Sequence, residues 1–249
     1  MENTPMCLFY SHFEQLDSTN AYLQREQSEH DIRNWVVSAN EQTAGKGMGN
    51  NGWESEAGKN LTFSMALDVV FLSAERQFLL SEAVALGLID ALDALLSAEK
   101  LYIKWPNDIY YENRKLAGIL INSTIKANMM DVSIIGIGLN VNQLQFQDWP
   151  THPISLRQIT GKEYELPPLL ERVFRCIYNK VEQLKNTPET IEREYLQRLY
   201  RYRTWADYEA DGKVLRLFMT GLDAFGRLML VDEADESYCF DVKEVRFVF

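Results

Sequence analysis

Apolar residues recur with two different periods along this chain, and the switching between them predicts a sheet flanked by helices. Residues 8 to 16 alternate as a first strand. The polar run Asp17-Ser18-Thr19-Asn20 then stands where a helix from Ala21 to about Gln27 needs side-chain oxygens to cap its free N–H groups. Trp35 to Ala39 is a second strand and Asn60 to Val69 a third, while Ser81 to Leu96 carries apolar residues at helical spacing with little to break it. Tyr102 to Trp105 and Ile109 to Tyr111 flank a turn at Pro106-Asn107-Asp108, and Lys115 to Asn122 and Asp131 to Val141 are two further strands joined by a short polar connection. Residues 167 to 185 and 188 to 203 form two amphipathic helices, the second opening behind Thr187-Pro188.

From about Trp205 the pattern shortens into β-rich runs: Val214 to Gly221, Arg227 to Asp232, Ser237 to Val242 and Val245 to Phe249. Asp-Gly and acid-rich turns divide them. The chain therefore reads as a sheet-and-helix domain over residues 1–203 followed by a small all-β module over 204–249.

Composition bounds this picture. With 249 residues, 46% of them hydrophobic, there is enough apolar material for one sizeable core and an appended module. The longest apolar runs, such as Ile134 to Val141, fall far short of the ~20 residues a membrane-spanning helix needs. Met1 to Tyr10 has no basic segment and no long apolar segment of a secretory signal, so the expected location is the cytoplasm, away from any membrane. The cysteines Cys7, Cys176 and Cys239 are too few and too scattered for a disulfide framework or a metal site, and are expected to be reduced and buried. A net charge of -11 repels phosphate backbones, which argues against nucleic acid as a partner. A small anionic ligand must then meet positive charge locally, at Lys or Arg set among glycines.

Two segments answer that description. From Gly45 to Gly52 four glycines surround Lys46, so backbone N–H groups can approach an anion closely, although a glycine-rich surface loop is more often simply flexible and this is not the Walker pattern. Lys104-Trp105-Pro106-Asn107-Asp108 gathers a cation, a large aromatic, a rigid turn and a carboxylate, with Lys115 following at the start of a strand. Its bland reading is a turn with solvated lysines; its functional reading has Lys104 and Lys115 neutralising a transferring phosphoryl or acyl group while Asp108 meets a metal or an incoming amine. Alone, Ser18-Thr19-Asn20 is most simply a helix cap, Gly136-Ile137-Gly138-Leu139-Asn140 a buried strand, and Trp53 a core residue.

Together, and in this order, these segments resemble the biotin protein ligase family. The resemblance rests on Ser18-Thr19-Asn20, Gln42-Thr43-Ala44-Gly45-Lys46-Gly47 with Trp53 and Gly58-Lys59-Asn60-Leu61, Lys104 to Asp108, Lys115-Leu116-Ala117-Gly118-Ile119-Leu120, and Gly136 to Asn142. It is strong over about residues 8 to 145 and extends weakly through Gly221-Leu222-Asp223 and Gly226-Arg227-Leu228.

The resemblance implies an α+β fold: a central mixed β-sheet with flanking helices, like the catalytic domain of class II synthetases and biotin ligases, plus a small C-terminal β-barrel like a Src-homology-3 domain. It implies biotin and ATP as substrates with Mg, and a biotin carboxyl carrier domain of a biotin-dependent carboxylase as partner. Lys115, Lys104 and Asp108 would be catalytic. Ser18, Thr19 and Gln42 would bind the ureido group of biotin, with Gly45, Lys46, Lys115 and Gly118 along its ring and tail. Lys46, Trp53, Lys115 and Asn140 would hold ATP and the adenylate, Trp53 by stacking on adenine and Asn140 by bonding its edge. Metal ligands stay unassigned, and the protein is expected as a monomer or homodimer.

Three points refine that expectation. Only seventeen residues precede Ser18, too few for the DNA-binding domain some members carry, so a monofunctional ligase is expected. The arginine-glycine run and histidine of lipoate or octanoate transfer are not evident, and a noncatalytic binder would have no use for Lys104, Asp108 and Lys115 together. The glycine loop, often arginine-rich in the family, here reads Gly47-Met48-Gly49-Asn50-Asn51-Gly52 with Lys46 as its only cation, so a leakier intermediate is expected.

Overall fold

A computed structural model describes residues 9–49, 51–147 and 151–249. Cys7, Asn50 and the first residue of the first predicted strand lie outside the described residues. In chain order the elements are β1 (Phe9–Leu16), α1 (Thr19–Glu26), β2 (Trp35–Gln42), β3 (Leu61–Asp68), α2 (Phe78–Asp93), β4 (Leu101–Lys104), β5 (Asp108–Tyr111), β6 (Arg114–Lys126) and β7 (Met129–Leu139). There follow α3 (Leu156–Thr160), α4 (Leu166–Asn186), α5 (Pro188–Arg198), β8 (Trp205–Ala210), β9 (Lys213–Leu222), β10 (Leu228–Val231), β11 (Ser237–Phe240) and β12 (Val245–Phe247). The chain divides into two compact units: one made of the segments up to Ala74 and from Arg114 to Arg172, the other of Glu75–Asn113 and Val173–Phe249.

In the first unit the strands run in the order β1-β2-β3-β7-β6. β1 and β2 are parallel, with α1 as the crossover that a parallel pair requires, and the other pairs are antiparallel. The hairpin between β6 and β7 closes through Ala127 and Asn128, both at positive φ (48° and 65°), the backbone that suits the right-handed twist of two-residue hairpins. β6 is accordingly longer than the apolar pattern alone predicts, while β7 keeps the predicted length and begins and ends two residues earlier.

Strand alternation gives one face of this sheet two textures. Thr62, Ser64 and Ala66 of β3 share a face, as do Val132, Ile134, Gly136 and Gly138 of β7, and the register pairs Ser64 with Gly136 and Gly138 with Gly118. At one end Ala66, Val132 and Ile134 join Val37 and Leu23 of α1 in an apolar cluster. At the other end β3 and β7 carry only small or polar residues on this face, Thr62, Ser64, Gly136 and Gly138. Apolar burial anchors α1 over the first end and leaves its N-terminus beside the second.

In the second unit α2 packs against α5 and against β4 and β5. Gly87 lets α2 and α4 approach closely, since a Cβ there would come within 2.4 Å of the Ile177 Cα. Five antiparallel strands in the order β11-β10-β9-β8-β12 form a second sheet made wholly of residues after Thr204. Its β8, with alternating Ala206, Tyr208 and Ala210 buried, is a strand the sequence pattern missed. The helix predicted over 188–203 stops at Arg198, because Tyr200 N–H bonds Ile103 O and Arg201 and Arg203 take positive φ. α3 was also missed, although Ser155 and Gln158 form a reciprocal capping box before it and Gly161 ends it in the left-handed region. Cys176 and Cys239 are free thiols, but Cys239 is exposed rather than buried, since β11 is an edge strand.

Candidate active site

The turn between β1 and α1 brings the predicted polar trio together. Ser18 caps α1, its Oγ accepting from Ala21 N at 3.4 Å, so the helix-cap reading holds for this residue. Arg25 hydrogen-bonds Asp17 through both guanidinium nitrogens and holds its carboxyl down at about 2, fixing the entry to the turn. Thr19 N–H donates to Gln42 Oε1 at 2.8 Å, and its hydroxyl donates to the same oxygen at 3.1 Å and lies 2.8 Å from Ser64 Oγ. Asn20 Oδ1 accepts from Asn122 Nδ2 at 2.8 Å. The Asn20 Nδ2 is buried with no hydrogen-bond partner in the protein, although the residue is only 5% exposed, and it points at Gly136, where a Cβ would meet it at 3.3 Å. An unsatisfied buried donor is costly, which makes this atom a place for a ligand acceptor. Asn20, Ser64 and Asn122 were not among the predicted site residues; the available signal was a polar residue inside an otherwise buried strand.

The glycine segment is folded back on itself. Thr43 N–H and Ala44 N–H bond Leu16 O and Asp17 O, tying its start to the β1–α1 turn. Lys46 then bridges to Gly52, Gly47 N–H bonds Asn51 O, and Trp53 N–H bonds Gly45 O at 3.0 Å. Gly45 is required by packing, since a Cβ there would lie 2.9 Å from Trp53 O. Lys46 is exposed.

Trp53 returns over the sheet. A Cβ on Gly138 would penetrate its indole at 2.3–2.7 Å, and one on Gly118 would meet it at 3.2 Å. The two glycines are cross-strand partners, so together they form a flat bed for the ring. The indole N–H is buried and unpartnered in the protein. Lys115 Nζ sits 5.8 Å from the Trp53 ring and 3.4 Å from where a Gly118 Cβ would be. Lys115, Gly118, Trp53, Gly45, Gln42 and Thr19 are thus linked along one face within one unit, and Ser18 stands next to Thr19 as the helix cap. Asn140 does something different: buried at 2% exposure, it donates its amide to Lys115 O and Ile154 O and so fixes the backbone that carries Lys115.

In the second unit Lys104 ends β4 and Asp108 begins β5, facing each other in the antiparallel register. Between them Trp105 is buried, its indole N–H donating to Gly226 O at 2.8 Å, and Trp105–Pro106 is cis. Gly226 has φ +82° and lies against Phe78, where a Cβ would be 2.1–2.4 Å from the ring. The Lys104 ammonium stands over the rings of Phe247 (4.9 Å), Tyr110 (5.3 Å) and Phe249 (6.0 Å). Among the described residues no three His, Cys, Asp or Glu side chains gather to hold a metal ion, and no helix is long and apolar enough to cross a membrane.

A model of the biotin/lipoate A/B protein ligase family matches residues 12–140. The bifunctional ligase/repressor BirA of Bacillus spizizenii is 31% identical over 147 residues, which are 57% of this chain and 44% of that protein. The biotin--[acetyl-CoA-carboxylase] ligase of Mycobacterium tuberculosis is 29% identical over 187 residues, 74% of this chain and 68% of that protein. The match thus spans less than half the length of the first relative. The solved biotin protein ligase from Aquifex aeolicus in complex with biotin and ATP has the same fold, with a TM-score of 0.79 at 22% identity over 96% of this chain and 99% of that one. The fold is the expected one, a mixed sheet with helices and a second, five-stranded antiparallel sheet at the C-terminal end in the place of the Src-homology-3-like module.

Proposed function

Because the chain belongs to the biotin/lipoate A/B protein ligase family, we propose that it is a biotin protein ligase, activating biotin with MgATP and transferring it to a lysine of a biotin carboxyl carrier domain. One observation carries the choice of biotin: buried Thr19, Ser64 and Asn20, with half-buried Gln42 bonded to Thr19, form a cluster of neutral donors and acceptors with the Asn20 Nδ2 donor left over. A neutral urea needs such partners, and the unbranched chain of a lipoyl group does not.

In the first step a biotin carboxylate oxygen attacks the α-phosphorus of ATP, the bond to the β-phosphate oxygen breaks, and biotinyl-adenylate and pyrophosphate result. Two anions must meet, so cations decide the rate. Lys115 is our first choice, with its half-buried ammonium beside the glycine bed, and Lys46 and Lys104 supply further charge. Mg would enter on the ATP phosphates and offset their charge there. Ser18, Thr19 and Gln42 orient the ureido group, with Gly45 and Gly118 along the ring and tail. Trp53 stacks on adenine, and Asn140 bonds its edge or, as its backbone bonds favour, holds the strand beside it.

In the second step the acceptor lysine amine attacks the acyl carbon and AMP leaves with the carbon–oxygen bonding pair. The amine must first lose a proton, and Asp108 accepts it. We take residues 1–203 as the biotin- and ATP-binding domain and 204–249 as the β-barrel domain, in keeping with the second sheet starting at Trp205. The reaction is assigned to the cytoplasm, without nucleic acid, and to a monomer or homodimer.

The test is incubation with MgATP, labelled biotin and a carrier domain, with lipoate in a parallel arm, comparing wild type with Lys115→Ala. Biotin transfer that the variant loses by about a hundredfold or more is expected, in the range of other lost transition-state cations. Transfer of lipoate instead, or unimpaired transfer by the variant, would defeat this reading.

A further inference from the structure

The five-stranded sheet lends its last strand to Lys104. β12 is held by pairing to β8, with Phe247 opposite Tyr208, and beyond it Val248 N–H bonds Asp207 O at 3.1 Å. Arg201 clamps the same stretch, its guanidinium donating to Val248 O at 2.7 Å and to Asp207 O at 3.3 Å. Strand alternation puts Phe247 and Phe249 on one side of this stretch. Their rings join Tyr110 and Tyr200: Phe249 stacks on both, and Phe247 tilts against Tyr200 and lies edge-on to Tyr208.

We infer that Phe247 and Phe249, with Tyr110, form an aromatic cage that positions the Lys104 ammonium for the reaction. The inference rests on the ligase reading above and gives the C-terminal sheet a part in catalysis. Three ring faces stand 4.9, 5.3 and 6.0 Å from Nζ, within the range where a ring quadrupole attracts a cation. The attraction of these ring faces orients the ammonium without changing its formal charge. Tyr110 is buried and its phenol is pushed up by desolvation, so its ring stays neutral beside the lysine. Phe249 is exposed, so one side of the cage is open to a ligand. Phe247 and Phe249 are positioning residues, acting through Lys104.

The experiment separates the quadrupole from shape. Biotin-dependent exchange of labelled pyrophosphate into ATP is measured for wild type, Phe247→Leu and Phe247→Tyr, and for proteins carrying one, two or five fluorines on the Phe247 ring. We expect Phe247→Leu to lower kcat about tenfold with little change in the KM for biotin, Phe247→Tyr to stay within about threefold, and fluorination to lower kcat in proportion to the loss of quadrupole. A structural role would make Leu and pentafluorophenyl rings equally harmless or equally damaging without gradation, and that result overturns the cage. Independently of any ligation, the Lys104 ε-methylene NMR signal, assigned by its loss in Lys104→Arg, should be shifted upfield by the rings and should relax toward the free-lysine position in Phe247→Leu. If wild type fails to exchange pyrophosphate, the ligase reading fails, and an unshifted ε-methylene signal would then overturn the cage as well.

Discussion

Trp53 lies flat on Gly138, so closely that a methyl group on that glycine would fall 2.3–2.7 Å from three indole carbons. No rotamer of alanine avoids this, because the Cβ position is fixed by the backbone. Gly138→Ala must lift the ring from its bed or shift β7. The expected cost is about 1–3 kcal/mol of stability, the range for overpacking, together with a red-shifted Trp53 emission and at least about a tenfold fall in pyrophosphate exchange. Pairing it with Trp53→Ala should recover most of the lost Tm, since the clash then has no second partner. A Tm unchanged by Gly138→Ala alone would show that the ring does not rest there.

Thr19 connects three elements through one hydroxyl, 3.1 Å from Gln42 Oε1 and 2.8 Å from Ser64 Oγ. Thr19→Val keeps the shape and the backbone bond to Gln42 while deleting both contacts. Ser64 is then free to turn and Gln42 keeps only its bond to the Thr19 N–H, so biotin should bind about tenfold more weakly by titration calorimetry, equivalent to about 1.4 kcal/mol, the net worth of one hydrogen bond. Unaltered biotin affinity would remove this cluster from the binding site.

The sequence made the order of these parts readable more than their assembly. Ser18, Thr19, Gln42, Lys115 and Gly118 stand in motifs, and the strand period predicts which side chains share a face within each strand. What it withheld was register: that Gly118 pairs with Gly138, Ser64 with Gly136, and that Asn122 reaches back across 102 residues to Asn20. Such pairings are set by hairpin turns at positions like Ala127-Asn128, where local sequence carries little signal. The β8 strand escaped notice for another reason. Its alternation in Trp-Ala-Asp-Tyr-Glu-Ala buries Tyr208 between two alanines, and alanine is a weak marker of strands.

Met48 sits in a cation-poor stretch whose turn is closed by Gly47 N–H to Asn51 O and Asn51 N–H to Met48 O. With Lys46 as the only charge between Gly45 and Gly52, the proposed biotinyl-adenylate would find fewer charge-assisted bonds here than an arginine-bearing loop could supply. Met48→Arg adds a bidentate donor and should slow release of biotinyl-adenylate about five- to tenfold, measured by rapid filtration or by loss of label on dilution. Equal release from both proteins would mean that loop charge does not govern retention.

Glu82 lies in α2 at 6% exposure, with its Oε2 unpartnered, in the second unit beside the buried and likewise unpartnered hydroxyl of Tyr195. Burial, and then the charge of Glu192, push its carboxyl up to about 8, with Arg76 opposing weakly. In the unfolded chain the same group ionises near 4.5. Between these values the folded state binds the extra proton, so raising the pH removes stability: the contribution is complete below about pH 4.5 and is lost as pH climbs through about 8. From pH 6 to pH 9 the loss from this one group is on the order of 2–3 kcal/mol. Glu82→Gln keeps the shape and cannot ionise, so its stability should lack this slope, and at pH 9 it should exceed the wild type in urea unfolding while differing little at pH 5. Parallel pH profiles for the two proteins would mean that Glu82 is already ionised in the folded state, with water or a counter-charge reaching it inside the helices.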